Sequence, residues 1–136
     1  MIDMTTKIDN ALLDNLTAQA KASPRLRMNY DLRNSSDDTS QRMLNAIEPD
    51  SQVPIHRHRK TSETVVVLRG RVVEEFYDER ERTCVAAYEI SPCGPICALN
   101  IPAGTWHPLR SLESGTVILE VKDGPYEPIG AEDVLG

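Results

Sequence analysis

His56-Arg57-His58-Arg59-Lys60-Thr61-Ser62-Glu63-Thr64-Val65-Val66-Val67-Leu68-Arg69-Gly70 is the stretch on which the fold turns. On a strand, residues two apart face the same side, so His56 and His58 present both imidazoles to one point while Arg57 and Arg59 face away. Arg59 to Ser62 is long enough for a tight turn, after which Glu63-Thr64-Val65-Val66-Val67-Leu68 reads as the returning strand. Gly70, ahead of Val72-Val73-Glu74-Glu75-Phe76-Tyr77, suits a hairpin that needs a left-handed residue. The chain has three histidines in all, and the third, His107, ends Pro102-Ala103-Gly104-Thr105-Trp106-His107. The fold must bring it to the other two. Three imidazoles and one carboxylate suit one divalent first-row metal per chain, iron, manganese, zinc, nickel or cobalt, with positions left open for water or substrate.

Outward from this stretch the pattern stays that of strands. Short runs of Val, Ile, Leu, Thr and Tyr recur between Gly, Pro, Asp and Ser, and they predict strands near 26 to 32, 41 to 48, 53 to 58, 63 to 68, 71 to 77, 83 to 90, 96 to 101, 105 to 111 and 115 to 122. One helix precedes them. Over residues 8 to 22, Ile8, Leu12, Leu13, Leu16 and Ala20 share a face, with Asp9 near the start and Pro24 beyond the end. The polar stretch 34 to 40 reads as a loop that either folds over a pocket mouth or connects strands. Residues 1 to 24 are expected to form a helical segment and residues 25 to 136 an all-β domain.

The 136 residues, 40% hydrophobic and 26% charged, fit one globular domain able to bury its own core. A net charge of −6 argues against a nucleic-acid partner, because such binding neutralises phosphates with clustered cations. No run of 18 apolar residues is available to cross a membrane, and the N-terminus has no apolar core of a secretory signal, so the expected location is cytoplasmic. Arg25, Arg27, Arg42, Arg57, Arg59 and Lys60 either form a positive pocket mouth for an acidic or phosphorylated molecule or solvate outer faces. Cys84, Cys93 and Cys97 are odd in number and are expected as small buried thiols rather than disulfides or ligands. Val65, Val66 and Val67 are apolar on both faces of one strand, so the outer side needs a cover, either a second subunit, making a homodimer, or the N-terminal helix.

The two-part pattern, HxH with four residues to Glu63 and six more to Gly70, then Pro-x-Gly-x-x-His, resembles the cupin superfamily. Asp50 and Ile96 stand where its motifs usually open with Gly, and Ser111 where many members carry Asn; none of these departures removes a ligand. Ser23-Pro24-Arg25, Tyr30, Asp37-Asp38 leading to Gln41-Arg42, the His56/His58/Glu63 set, Gly104-Thr105-Trp106-His107 and Glu120-Val121-Lys122-Asp123-Gly124-Pro125-Tyr126 are similar to the WbuC-type cupin-fold metalloproteins over about residues 20 to 130. This likeness implies a single jelly-roll barrel with an N-terminal α-helix, a metal on His56, His58, Glu63 and His107, and a setting in bacterial surface-polysaccharide synthesis. It also implies that upstream strands carrying Tyr30, Arg42 and Asn45 pass near the metal. Arg42 is expected to grip a carboxylate or phosphate while Tyr30 serves as acid or base, although Arg42 and Asn45 have opposite parity and only one can face a pocket without a bulge. Trp106 either stacks on a sugar ring or sits in the core. Two functions fit. One is a metal-dependent isomerase, epimerase, lyase or dioxygenase acting on a small polar substrate such as a sugar or nucleotide-sugar intermediate; the other is a non-catalytic metal-holding module that binds carbohydrate or assists a partner.

Overall fold

The strand that opens at Glu63 takes a near-central place in a five-stranded antiparallel sheet. In the computed structural model, which describes residues 2 to 135, the order is β1 (Arg27–Asp31), β2 (Ser40–Ile47), β9 (Val117–Asp123), β4 (Glu63–Arg69) and β7 (Ala98–Ile101). A second sheet is ordered β6 (Cys84–Ile90), β5 (Val72–Tyr77) and β8 (Leu109–Ser111). Between the sheets lies the barrel core: Ile47, Val65, Val67, Ile101 and Ile118 from the larger sheet meet Val72, Ile90 and Leu109 from the smaller. Each such buried aliphatic side chain contributes about 1.5–3 kcal/mol by leaving water. A third, two-stranded piece pairs β3 (Ile55–His56) with β10 (Val134–Leu135), the latter preceded by a 3-10 turn at Ala131–Asp133. The fold is therefore all-β, two packed antiparallel sheets, as the sequence predicts.

The helix α1 (Asn10–Ala22) lies on the outer face of the larger sheet. Asp9 caps it by accepting a hydrogen bond from the Leu12 amide at 3.0 Å. Leu13, Leu16 and Ala20 are buried against Leu44, Ala46 and Val117, with Leu68 and Leu119 at the margin, so the helix covers part of the outer face. Ile8, expected on the helix's buried face, precedes the helix and is exposed. Strand periodicity behaves as expected at β4, where Val65 and Val67 enter the barrel and Val66 faces outward, half-buried.

Several boundaries differ from expectation. The strand predicted over 105 to 111 is regular only from Leu109, because the left-handed turn at Gly104 (φ +82°) and Pro108, which lacks an amide hydrogen, interrupt it. The strand predicted over 53 to 58 shrinks to Ile55–His56, leaving His58 just beyond it. The thiols of Cys84, Cys93 and Cys97 are exposed rather than buried: Cys84 lies on the sheet edge formed by β6, and the other two lie in the turn that follows it. Among the described residues, no helix is long and apolar enough to cross a membrane.

Candidate metal centre

Backbone pairing delivers the third histidine. The His107 amide donates to the His56 carbonyl at 2.8 Å and the His56 amide returns the bond to His107 at 3.2 Å, so two residues 51 positions apart form an antiparallel bridge. The Gly104 amide, donating to the His58 carbonyl at 2.8 Å, ties the Pro102–His107 turn to the other end of the motif. The rings follow: centroids lie 4.6 Å apart for His56 and His107, 5.1 Å for His56 and His58, and 6.1 Å for His58 and His107. Each of the three offers one ring nitrogen to a set whose members all lie within 4.8 Å of one another.

The other ring nitrogens show which atoms remain for an ion. His56 Nδ1 lies 2.8 Å from the Pro54 carbonyl, and His107 Nδ1 is hydrogen-bonded to Glu74 Oε1, so both rings keep Nε2 for a ligand. Glu63 stands beside His58, with Oε2 at 3.0 Å from Nε2. Two ligands at right angles about an ion with bonds of about 2.1 Å are about 3 Å apart, so this contact matches one edge of an octahedron. The donor set therefore fits a divalent metal: His56, His58 and His107 would hold it, with Glu63 alongside.

These groups border an open cavity of about 320 Å³, lined also by Arg27, Asn45, Glu120 and Lys122. Tyr30 and Arg42 do not reach it. Both share the face of β1 and β2 that carries Leu44: Tyr30 packs on the helix-side cluster, and Arg42 bonds the Leu32 carbonyl at 3.0 Å and pairs with Asp38 at 3.3 Å. Strand parity turns Asn45 inward and Arg42 outward, so the structure does not bring Tyr30 and Arg42, expected as acid-base and anion-gripping groups, to the cavity. Arg57 and Arg59 also point away, both donating to Asp133, and Arg57 stacks on the buried Trp106 ring at 4.4 Å. Trp106 belongs to the packing, not to an open sugar platform. The loop of residues 34 to 40 does not border the cavity.

Residues 8–87 match the family described as a domain of unknown function, DUF6016. The chain belongs to that family. The match runs from α1 into β6, taking in His56, His58, Glu63 and Glu74 but not His107 or Glu120. No curated protein matches the sequence of this DUF6016 member. Among solved structures, oxalate oxidase in complex with glycolate is similar at a TM-score of 0.65 and 12% identity, over 96% of this chain and 62% of that one. The capsular polysaccharide assembling protein CapF from Staphylococcus aureus gives 0.64 and 20%, over 78% of this chain and 30% of CapF. A cupin 2 domain-containing protein from Halorhodospira halophila gives 0.57 and 13%, over 76% and 68%. The fold is that of the cupins, and the chain spans less than a third of CapF.

The electrostatics of this DUF6016 cavity follow from burial. Desolvation, reinforced by neighbouring His107, lowers His56 to about 4, and desolvation likewise lowers His107, so both are neutral and free to ligate near pH 7. For Glu63, burial pushes up, but the His58 bond and the nearby charge of Lys122 outweigh it and hold the carboxylate ionised. Burial, with the charge of Glu63 second, raises Glu74 to about 9. Burial and Glu63 raise Glu120 to about 7 against the opposing pull of Lys122 and Asn45. Glu74 and Glu120 are the functional candidates that sequence reasoning passed over.

Glu74 orients His107, and this gives a direct test. Glu74→Ala is expected to weaken metal affinity by about 10- to 100-fold, the usual cost of losing a ligand's outer partner, while Glu74→Gln, which keeps an acceptor oxygen, loses less. Competition titration against a chelator measures both; equal affinity in wild type and the alanine variant would remove Glu74 from the site.

Proposed function

We propose that this protein is a metal-dependent enzyme acting on a small polar substrate, a sugar or nucleotide-sugar intermediate, in the cytoplasmic steps of bacterial surface-polysaccharide synthesis. The observation that carries this reading is the convergence of His56, His58, His107 and Glu63 on a cavity that Arg27, Asn45, Glu120 and Lys122 also line. A purely structural ion is enclosed by its ligands and needs no such space. At about 320 Å³ the cavity is at the small end of ligand pockets, which run from about 300 to 1,000 Å³, and so suits one sugar ring or a comparable molecule. Six-coordinate metal on these four ligands would keep two positions for substrate or water and would polarise a bound carbonyl or hydroxyl oxygen. Glu120, poised near neutrality and fixed by Asn45 Nδ2 donating to its Oε1 at 3.2 Å, would hold or accept the proton in the role first expected of Tyr30. The likeness to a capsular polysaccharide assembling protein and to WbuC-type cupins supports the pathway class.

The test is turnover of sugars and nucleotide sugars by metal-loaded protein, followed by NMR across pH 5 to 9. The expected result is activity that is lost on chelation and, in Glu120→Gln, loses its pH limb near 7. Binding without turnover at any pH would favour the second reading, a non-catalytic carbohydrate-binding or accessory module. That reading draws support from CapF, where the matching region is under a third of a larger chain. For assembly we infer a homodimer through the outward face of β4 beside α1, where Val66 remains half-buried.

A further inference from the structure

Five buried side-chain polar atoms among the described residues lack a hydrogen-bond partner, and four of them, Arg27 Nε, Asn45 Oδ1, Glu63 Oε2 and Glu74 Oε2, belong to residues lining the same cavity. Glu63 and Glu74 stand beside His58 and His107 and belong to the candidate metal centre. Arg27 and Asn45 do not. The Arg27 side chain makes no hydrogen bond or ion pair with any described residue; its electrostatic neighbours are Arg25 and Glu120. Asn45 donates one amide hydrogen to Glu120, while its Oδ1 is a bare acceptor. The two sit together because Arg27 pairs across the sheet with Ile47, two residues from Asn45 on the same face. Such diagonal neighbours are roughly 7–8 Å apart, a span that one small molecule bridges. Lys122, on β9 of the same sheet, also lines the cavity, and its charge acts on Glu63 and Glu120.

A half-buried guanidinium whose Nε has no hydrogen-bond partner, with only the nearby Glu120 to offset its charge, suits a planar anion, since a carboxylate takes two of its N–H bonds at once. A bare amide oxygen calls for a donor, which a hydroxyl supplies. We propose that the ligand of this cavity is a small polyhydroxylated carboxylate, its carboxylate on Arg27 and a hydroxyl donating to Asn45 Oδ1, with its remaining oxygens toward the histidines. The inference deepens the metal-enzyme reading and rests on it for the last of these contacts only. It narrows the substrate class from sugars and nucleotide sugars to sugar acids and related hydroxy acids. Arg27 and Asn45 thus set specificity, while the histidines and Glu120 face the reacting atoms.

Gluconate and glucitol form the probe pair, because they differ only in a terminal carboxylate against a hydroxymethyl group. Calorimetric titration into metal-loaded protein should show gluconate binding at least about 10-fold more tightly than glucitol. Arg27→Gln should erase that preference and Arg27→Lys should restore part of it, whereas Asn45→Ala should weaken both probes alike. The same titrations on metal-free protein, with metal content measured on every sample, separate the two claims. A chain that never holds metal yet keeps the Arg27-dependent preference refutes the metal reading and leaves this one standing. Equal affinities for the two probes, no binding of either, or a preference unchanged in Arg27→Gln would overturn the assignment. Should Arg27→Gln fail to melt as a folded protein, the wild-type comparison and Arg27→Lys still decide it.

Discussion

His58→Ala is expected to reduce bound metal from about one ion per chain to near zero under ordinary purification. His58 supplies one of only three imidazoles in the chain, and its Nε2 stands 3.0 Å from Glu63 Oε2, so the substitution removes one ligand and leaves a second, buried carboxylate without its partner. The loss should exceed the roughly 10- to 100-fold expected from an outer partner such as Glu74. The fold should survive, because His58 lies just outside β3 and half-buried, and the barrel core contains none of the three histidines. Metal analysis beside a thermal melt reads both effects, and unchanged stoichiometry would refute the ligand set.

The largest loss of stability is expected from Gly70→Ala, which should lower folding free energy by about 2–5 kcal/mol. Gly70 closes the β4–β5 hairpin at φ +83°, where a residue with a Cβ costs about 1–2 kcal/mol. A Cβ there would also stand 2.2 Å from Thr116 Oγ1 and 2.7 Å from the Thr116 Cα. The second contact is with backbone, so it cannot be relieved by rotating a side chain, and such overpacking costs about 1–3 kcal/mol more. Thr116 is fully buried and binds the Arg71 amide at 3.3 Å, so pushing it aside disturbs the start of β5 as well. A fall in melting temperature of about 7–17 °C follows for a domain of this size. A melt within about 2 °C of wild type would mean that the hairpin tolerates a rearrangement this account does not contain. The motif glycine is thus explained by conformation and by contact together.

How much of this was legible in the sequence depends on whether the signal was local. The β4–β5 hairpin and the meeting of His56 with His58 rest on alternation and a turn glycine, and both appear where the pattern puts them. Parity also held the rule separating Asn45 from Arg42, but sequence alone could not say which of the two faces inward; the placement of Leu44 under the helix decides it. Glu74 and Glu120 were readable in principle. In Val72-Val73-Glu74-Glu75-Phe76, the inward positions are 72, 74 and 76, and in Ile118-Leu119-Glu120-Val121-Lys122 they are 118, 120 and 122. A carboxylate at an inward position of a buried strand is costly unless it is protonated or paired, so each is a marker of function. What had no local signal was long-range: β10, two residues long, is defined by its pairing with β3, and the latch of Asp133 to Arg57 and Arg59 joins residues more than 70 positions apart. The exposure of the three cysteines has the same origin, since nothing in their own segments reports that no other element covers them.

Elemental analysis of untagged protein, purified anaerobically without added metal and read together with the spectroscopic coordination number, tests the central claim most directly. About one divalent ion per chain is expected, in an open, six-coordinate site built on His56, His58, His107 and Glu63. One tightly held four-coordinate zinc with no exchangeable water, or no metal at all, would contradict it.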